Sequence, residues 1–217
     1  MATDTADILF IAADPREFQG AMRRWSKVEP LQLPVHWART ALWRNKRIVA
    51  IANGAGPHRS ALAARAFPYK VLVNLGFCGA LDPRLKVGDI VVGDWWLQPR
   101  SRKPYISGRL ASIDHIAQTA EEKRELHETG AIAVEMEAAG LEKLPCYCIK
   151  VVSDLADETF ANNLNAVLKP DGRMNIPLLL FYACLWPVPR FRELKRLQER
   201  SRIASRSLGD FLEYCEF

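Results

Sequence analysis

No apolar run in this 217-residue sequence is long enough to cross a bilayer; the longest, residues 176–188, is short and broken by prolines. The opening stretch, MATDTADILFIAAD, lacks the basic segment that precedes the apolar part of a secretion signal. Cysteine is sparse and odd in number, five residues in all, and Cys146 and Cys148 stand too close for a CxxC metal knuckle. The expectation is free thiols in a reducing cytoplasm. Histidine is scarcer still, four residues, and no His/Cys/Asp cluster has metal-ligand spacing, so neither a metal nor an organic cofactor is implied. Internal repeats and low-complexity tracts are also missing.

What remains is a balanced composition, 49% hydrophobic and 25% charged, that suits one globular domain with a full core. The net charge of +5 is concentrated late, with seven basic residues between Arg190 and Arg206. That clustering reads as a solvated helix face and against nucleic-acid binding.

Alternating apolar and punctuated segments give the organisation. Asp7 to Ala13 is a buried first strand, followed from Pro15 by a helix to about Trp25. His36 to Trp43 and Lys46 to Asn53 form a hairpin turned at Arg44-Asn45. A helix runs from His58 to Phe67, a strand from Lys70 to Leu75, a loop from Gly76 to Gly88 and a strand from Asp89 to Trp96. Arg100 to Gly108 is a surface excursion. Then come a charged helix from Glu121 to Thr129, a strand from Ala131 to Val134, a helix from Glu135 to Lys143 and a last core strand from Cys146 to Val152. The pattern implies a single-domain α/β fold: a mixed, mostly parallel central sheet flanked by helices on both faces. The core spans 7–170, with a C-terminal helical extension over 171–217.

Two strand-like runs end in acids that solvation does not explain, Glu137 in AIAVEMEAAGLE (131–142) and Asp154 in VVSDLAD (151–157). In open α/β sheets ligands bind outside the carboxyl ends of strands, so acids at two such ends can share a crevice. With VLVNLGFCGALDPRLKVGD (71–89), these runs resemble the nucleoside phosphorylase and nucleosidase superfamily over roughly Ile8 to Asp157. Within it, the methylthioadenosine/adenosylhomocysteine nucleosidases are the most similar. From about Asp171 the chain looks more like the hopanoid-associated phosphorylases.

The resemblance implies cleavage of the bond between a purine and ribose. Such a reaction passes through an oxocarbenium-like sugar, which favours negative groups near the ribose and a proton donor at the base. Asp154, in Ser153-Asp154, matches the acid that protonates or hydrogen-bonds the purine; the competing reading is a helix cap. Glu137 matches the acid that grips the ribose hydroxyls and Met136 the residue packed on the sugar, while Glu135 reads as solvated or ion-paired. Glu17 matches the base that activates water in the family hydrolases, where phosphorylases carry Arg; the competing reading is a first-turn acid complementing the helix dipole. Gly76 lets backbone approach the ligand. Asn74 and Phe77 replace the Arg and hydroxyl that hold phosphate, and Ile116 stands where an aromatic stacks on the base.

Hydrolysis of an adenine-type nucleoside is favoured. Phosphorolysis, with phosphate as co-substrate and possibly a lipid-linked nucleoside, and non-catalytic nucleoside binding are the alternatives. Cys78 reads as a packed residue, His115 and His127 as surface, His58 as a weak candidate for anion contact, and Trp95 and Trp96 as core or interface. Leu178 to Trp186 is apolar all round, implying burial, and Phe191, Leu194, Leu197 and Ile203 form a stripe expected to pack on the domain or across a homodimer. Contact of these C-terminal helices with a membrane surface or a lipid substrate is the further possibility.

Overall fold

The computed structural model describes residues 5–185 and 187–217. In chain order, β1 (Ala6–Ala12) leads through a 3-10 turn (Pro15–Phe18) into the short α1 (Gln19–Met22). Then follow β2 (Ser26–Pro30), β3 (Trp37–Trp43), β4 (Lys46–Ala52), α2 (Pro57–Arg65), β5 (Tyr69–Ala80), β6 (Ile90–Gly93), β7 (Arg100–Ser101), β8 (Ile106–Gly108), β9 (Leu110–Ser112), α3 (Ala120–Glu128), β10 (Ala133–Glu135) and β11 (Cys146–Asp154). The chain closes with α4 (Ile176–Leu185), α5 (Pro187–Leu212) and β12 (Cys215–Glu216).

Ten strands form one sheet, ordered β2-β3-β4-β1-β5-β11-β6-β8, with β10 added on β5 and β9 on β10. Its centre, β4-β1-β5-β11, is parallel, and antiparallel pairs lie towards both edges. Alternation along β1 divides the core. Ile8 and Phe10 face Trp25, Trp43 and the α5 residues Leu208 and Phe211, whereas Leu9 and Ile11 face Ala63, Ala64 and Phe67 of the α2 layer. The result is a sheet between two helical layers, as the pattern implies.

Several element bounds differ from the sequence reading, each for a local reason. The first helix stops at Met22, and Trp25 turns inward to stack on Phe10, centroids 6.0 Å apart. The edge strand β2 has no buried position and so no alternation to betray it. Arg44 and Asn45 both take positive φ, as the two-residue hairpin requires. Residues 76–80, read as loop, extend β5, because β11 pairs with it as far as Gly79 and β10 joins it at Gly79 and Ala80. The helix expected over 135–143 is only a 3-10 turn, Ala138–Leu141, since the Glu135 carboxylate accepts the N–H groups of Glu137 and Ala138.

The C-terminal helices depart most. Leu179 and Ala183 are buried, but Leu180 is 45% and Phe181 60% exposed, and Trp186 lies outside the described residues. On α5, Leu194 and Leu197 pack partly, whereas Phe191 and Ile203 are exposed. The face that docks is Ala204, Ser205, Leu208, Gly209 and Phe211, where small residues let α5 approach α1: Gly20 N–H donates to Ser205 Oγ at 2.9 Å. Nor is the basic stretch wholly solvated, because Arg196 and Arg200 pair with Glu158. The expected surface excursion is tied down too, β7 pairing antiparallel with β12. No helix among the described residues is long and apolar enough to cross a membrane.

Candidate active site

The ends of β1, β5, β10 and β11 converge on one crevice, each delivering a functional side chain. After β1, Asp14 caps the 3-10 turn and places Glu17 at its third position, pointing back over the strand end. Glu17 Oε2 accepts the N–H groups of Ala13 and Asp14, both at 2.9 Å, and Oε1 accepts that of Phe77 at 2.7 Å. One carboxylate therefore joins β1 to β5. Glu17 is thus a cap of the turn and also an acid in the cavity wall. Burial, with the charge of Glu137 adding to it, raises the Glu17 pKa to about 7, against the lowering effect of Lys150 and the backbone donors.

Gly76 lies directly beneath. A Cβ there would stand 2.9 Å from Glu17 Oε1 and 3.3 Å from Lys150 Nζ, so glycine preserves the space in which these two groups sit. Glu137, just past β10, is buried, and its Oε2 accepts from Lys150 Nζ at 2.8 Å. Glu135 is also buried, not solvated, and pairs with the same ammonium at 3.0 Å. Burial raises the Glu137 pKa, the Glu135 charge adds to this, and Lys150 opposes it. For Lys150 burial works against the charge, but Glu137 and Glu135 outweigh it and hold the ammonium form. At the end of β11 a register irregularity brings Asp154 opposite Gly79, where an added Cβ would meet Asp154 Oδ1 at 2.8 Å. Asp154 Oδ2 accepts from Ser153 Oγ at 2.9 Å, and Oδ1 accepts from Lys123 Nζ at 2.5 Å. Burial raises its pKa, and Lys123 and Ser153 oppose this without cancelling it.

These side chains line a cavity of about 240 Å³. Of the eight residues singled out in the sequence, Glu17, Phe77, Ile116, Met136, Glu137, Ser153 and Asp154 are in its wall, and Gly76 sits behind Glu17. Ala55, Ile116 and Met136 are shared with an outer compartment of about 600 Å³, whose other walls include Arg16, Trp37, Arg173, Met174 and Ile176. Two ion pairs of the same Asp-x-Arg form stand at it, Asp14 with Arg16 and Asp171 with Arg173. The turn carrying Arg173 is docked mainly by backbone: Ala55 N–H donates to Gly172 O at 2.9 Å, and a Cβ on Gly54 would lie 2.2 Å from Asp171 O, while His36 stands 4.0 Å from the Asp171 carboxylate.

Neither Lys150 nor Lys123 was singled out in the sequence. The signal was there for Lys150, a lone lysine within a strand otherwise read as buried, near two acids that need a counter-ion. Lys123 sits in a run of charged residues, EEKRE, where nothing separates it from solvated neighbours. Asn74 is buried within β5, donating to Cys148 Sγ, and is not in the cavity wall. His115 is not simply a surface residue: it reaches the cavity mouth and is held by Asp114 and Glu122. His127 is half-buried, its Nδ1 2.8 Å from Ala131 O, and His58 is exposed. Cys78 is buried, which pushes its thiol far above the usual range. Trp95 is 75% exposed, and Trp96 packs against the α2-side core. Among the described residues no group of three or more His, Cys, Asp or Glu is placed to hold a metal ion.

Residues 7–109 match the family model described as the phosphorylase superfamily. The chain carries the phosphorylase-superfamily fold. Similar solved structures include the 5′-methylthioadenosine/S-adenosylhomocysteine nucleosidase of S. pneumoniae with a transition-state inhibitor, at 18% identity and TM-score 0.62, covering 95% of this chain and 98% of that one. Futalosine hydrolase of Helicobacter pylori matches at 18% identity and TM-score 0.62, over 95% of this chain and 98% of its own. Uridine phosphorylase from Vibrio fischeri matches at 12% identity and TM-score 0.62, over 97% and 93%. No curated protein matches the chain. The superfamily fold thus accommodates proteins named as hydrolases and as phosphorylases, so reaction type has to be argued from the site.

Proposed function

We propose that this protein hydrolyses the N-glycosidic bond of a purine nucleoside of the adenine type. The observation that carries the reading is the convergence of Glu17, Glu137 and Asp154 on one cavity whose wall contains no Lys or Arg. A phosphate dianion would meet carboxylates there and no free cation, because Lys150 is committed to Glu135 and Glu137. Water meets a base instead. Glu17 accepts its proton, Glu137 accepts hydrogen bonds from the ribose hydroxyls, and Asp154, with Ser153 beside it, serves the departing base. Met136, Phe77 and Ile116 supply the apolar surface. No cofactor takes part in this reading, and the site of action is the cytoplasm.

The runner-up is phosphorolysis, including that of a lipid-linked adenosine, and the apolar walls of the outer compartment, Trp37, Met174 and Ile176, favour a bulky apolar 5′ substituent. Homodimer formation belongs to the proposal as well, through a face other than this one, and the exposed Leu180, Phe181, Val188 and Phe191 support contact of the C-terminal helices with lipid. Incubation with adenosine, methylthioadenosine and adenosylhomocysteine, with and without phosphate, tests the reaction type. Free base and free sugar are expected without phosphate. Ribose 1-phosphate as main product, with a strict phosphate requirement, would move the reading to phosphorolysis; binding without turnover would leave a nucleoside-binding protein.

A further inference from the structure

Lys123 sits on the charged helix α3, yet its side chain has no solvent exposure. Burying an ammonium is costly unless it is paired and hydrogen-bonded. Its Nζ donates to Asp154 Oδ1 at 2.5 Å and to Leu155 O at 2.7 Å, and it lies 5.1 Å from the centre of the Phe160 ring. The other Asp154 oxygen accepts from Ser153 Oγ. Asp154 is thus surrounded by donors, an arrangement that fits the carboxylate form. A carboxylate has no proton to give a leaving base. The proton nearest to hand is on Lys123.

We propose that Lys123 is the proton reserve for departure of the base, acting through Asp154; the inference rests on the nucleosidase reading above. As the C1′–N bond breaks, its electron pair passes to the base; the Lys123 Nζ proton moves to Asp154, and Asp154 hands a proton on to a base nitrogen, remaining a carboxylate at the end of the step. Lys123 is left as a neutral amine. The water oxygen bonds to C1′ and one of its protons moves to Glu17. After release of both products Glu17 loses that proton to solvent, and Lys123 regains one through Asp154, since its own path to water is closed. One water is consumed and the charge of the site is restored. Because it works through Asp154, Lys123 is a positioning residue with a proton to spend, and sequence alone gives no reason to separate it from Glu121, Glu122 and Arg124.

The test uses two kinds of leaving group. Adenosine and methylthioadenosine release adenine, which needs a proton, whereas p-nitrophenyl β-D-ribofuranoside releases a nitrophenolate, which does not. Wild type, Lys123→Met and Lys123→Arg are compared on both, with melting curves to check folding. Arginine retains the cation and its hydrogen bonds but does not release its proton in a protein. Both variants are expected to lose about a hundredfold or more in kcat/KM on the nucleosides, the usual worth of a positioned proton donor, with the nitrophenyl riboside cleaved close to the wild-type rate. Full nucleoside activity in Lys123→Arg, or an equal fall on both kinds of substrate, overturns the proposal. A wild-type protein that cleaves none of these compounds, with or without phosphate, overturns the nucleosidase reading itself, so the two failures are told apart.

Discussion

Glu17 has two tasks that compete for the same oxygens. As a cap it accepts three backbone N–H groups, which favour its anion; as a base it must take a proton from water. Burial and the Glu137 charge oppose the anion and set the balance at a pKa of about 7. The sign follows directly. Below that pH Glu17 holds a proton and accepts no other, so kcat/KM should fall by about tenfold for each unit below about 7, and Glu17→Gln should lose about a hundredfold or more above about pH 7, the gap to wild type closing as the pH falls. Rate profiles over pH for both proteins measure this. A wild-type profile that stays flat from about pH 5 to 8 would take Glu17 out of the role of base.

At the scale of elements, α5 is about 39 Å long by its 26 residues, and its grip on the domain depends on glycine. A Cβ on Gly209 would fall 2.3 Å from the carbonyl carbon of Gly20, and one on Gly20 would fall 1.8 Å from Ser205 O. These are backbone atoms with nowhere to rotate. Gly209→Ala is therefore expected to destabilise the protein by about 1–3 kcal/mol, as overpacking generally does, lowering Tm by at least about 2 °C. An unchanged melting curve would mean that the two helices separate without cost.

The same helix shows where sequence stops being legible. Its hydrophobic stripe was readable, but the docking face is chosen by Ser205 and Gly209, which carry no hydrophobic signal, so Phe191 and Ile203 end outside. In the core the pattern sufficed, because alternation along β1 and the apolar run of β11 admit one arrangement between helical layers. The candidate acids were visible because carboxylates at strand ends need a reason. Of their lysine partners, Lys150 carries a signal as a charge inside a buried strand, whereas Lys123 carries none, since what marks it is a hydrogen bond spanning 31 positions.

At the scale of the molecule, the exposed face of α5 combines Val188, Phe191 and Ile203 with Arg192, Lys195, Arg202 and Arg206, against a single acid, Glu199. Two copies meeting there would oppose like charges, whereas an anionic bilayer would complement them. Co-sedimentation with phosphatidylserine vesicles is expected for the wild type and should drop sharply for Phe181→Ser/Phe191→Ser. No vesicle binding, together with concentration-dependent dimers that the double variant abolishes, would assign the face to a second copy.

The outer compartment has one wall, the turn at Gly172, that rests on Gly54 and Ala55 chiefly through main-chain atoms. A frame of that kind is indifferent to the identity of the side chains it displays. Arg173 and Ile176, which take no part in a buried cluster, can then be exchanged by mutation with little risk to the cavity carboxylates behind them, whereas Met174 is packed against Leu164, Val167 and Leu179. That separation makes this wall a natural place for the lineage, or a protein engineer, to retune which nucleoside is accepted while the bond-breaking apparatus stays as it is.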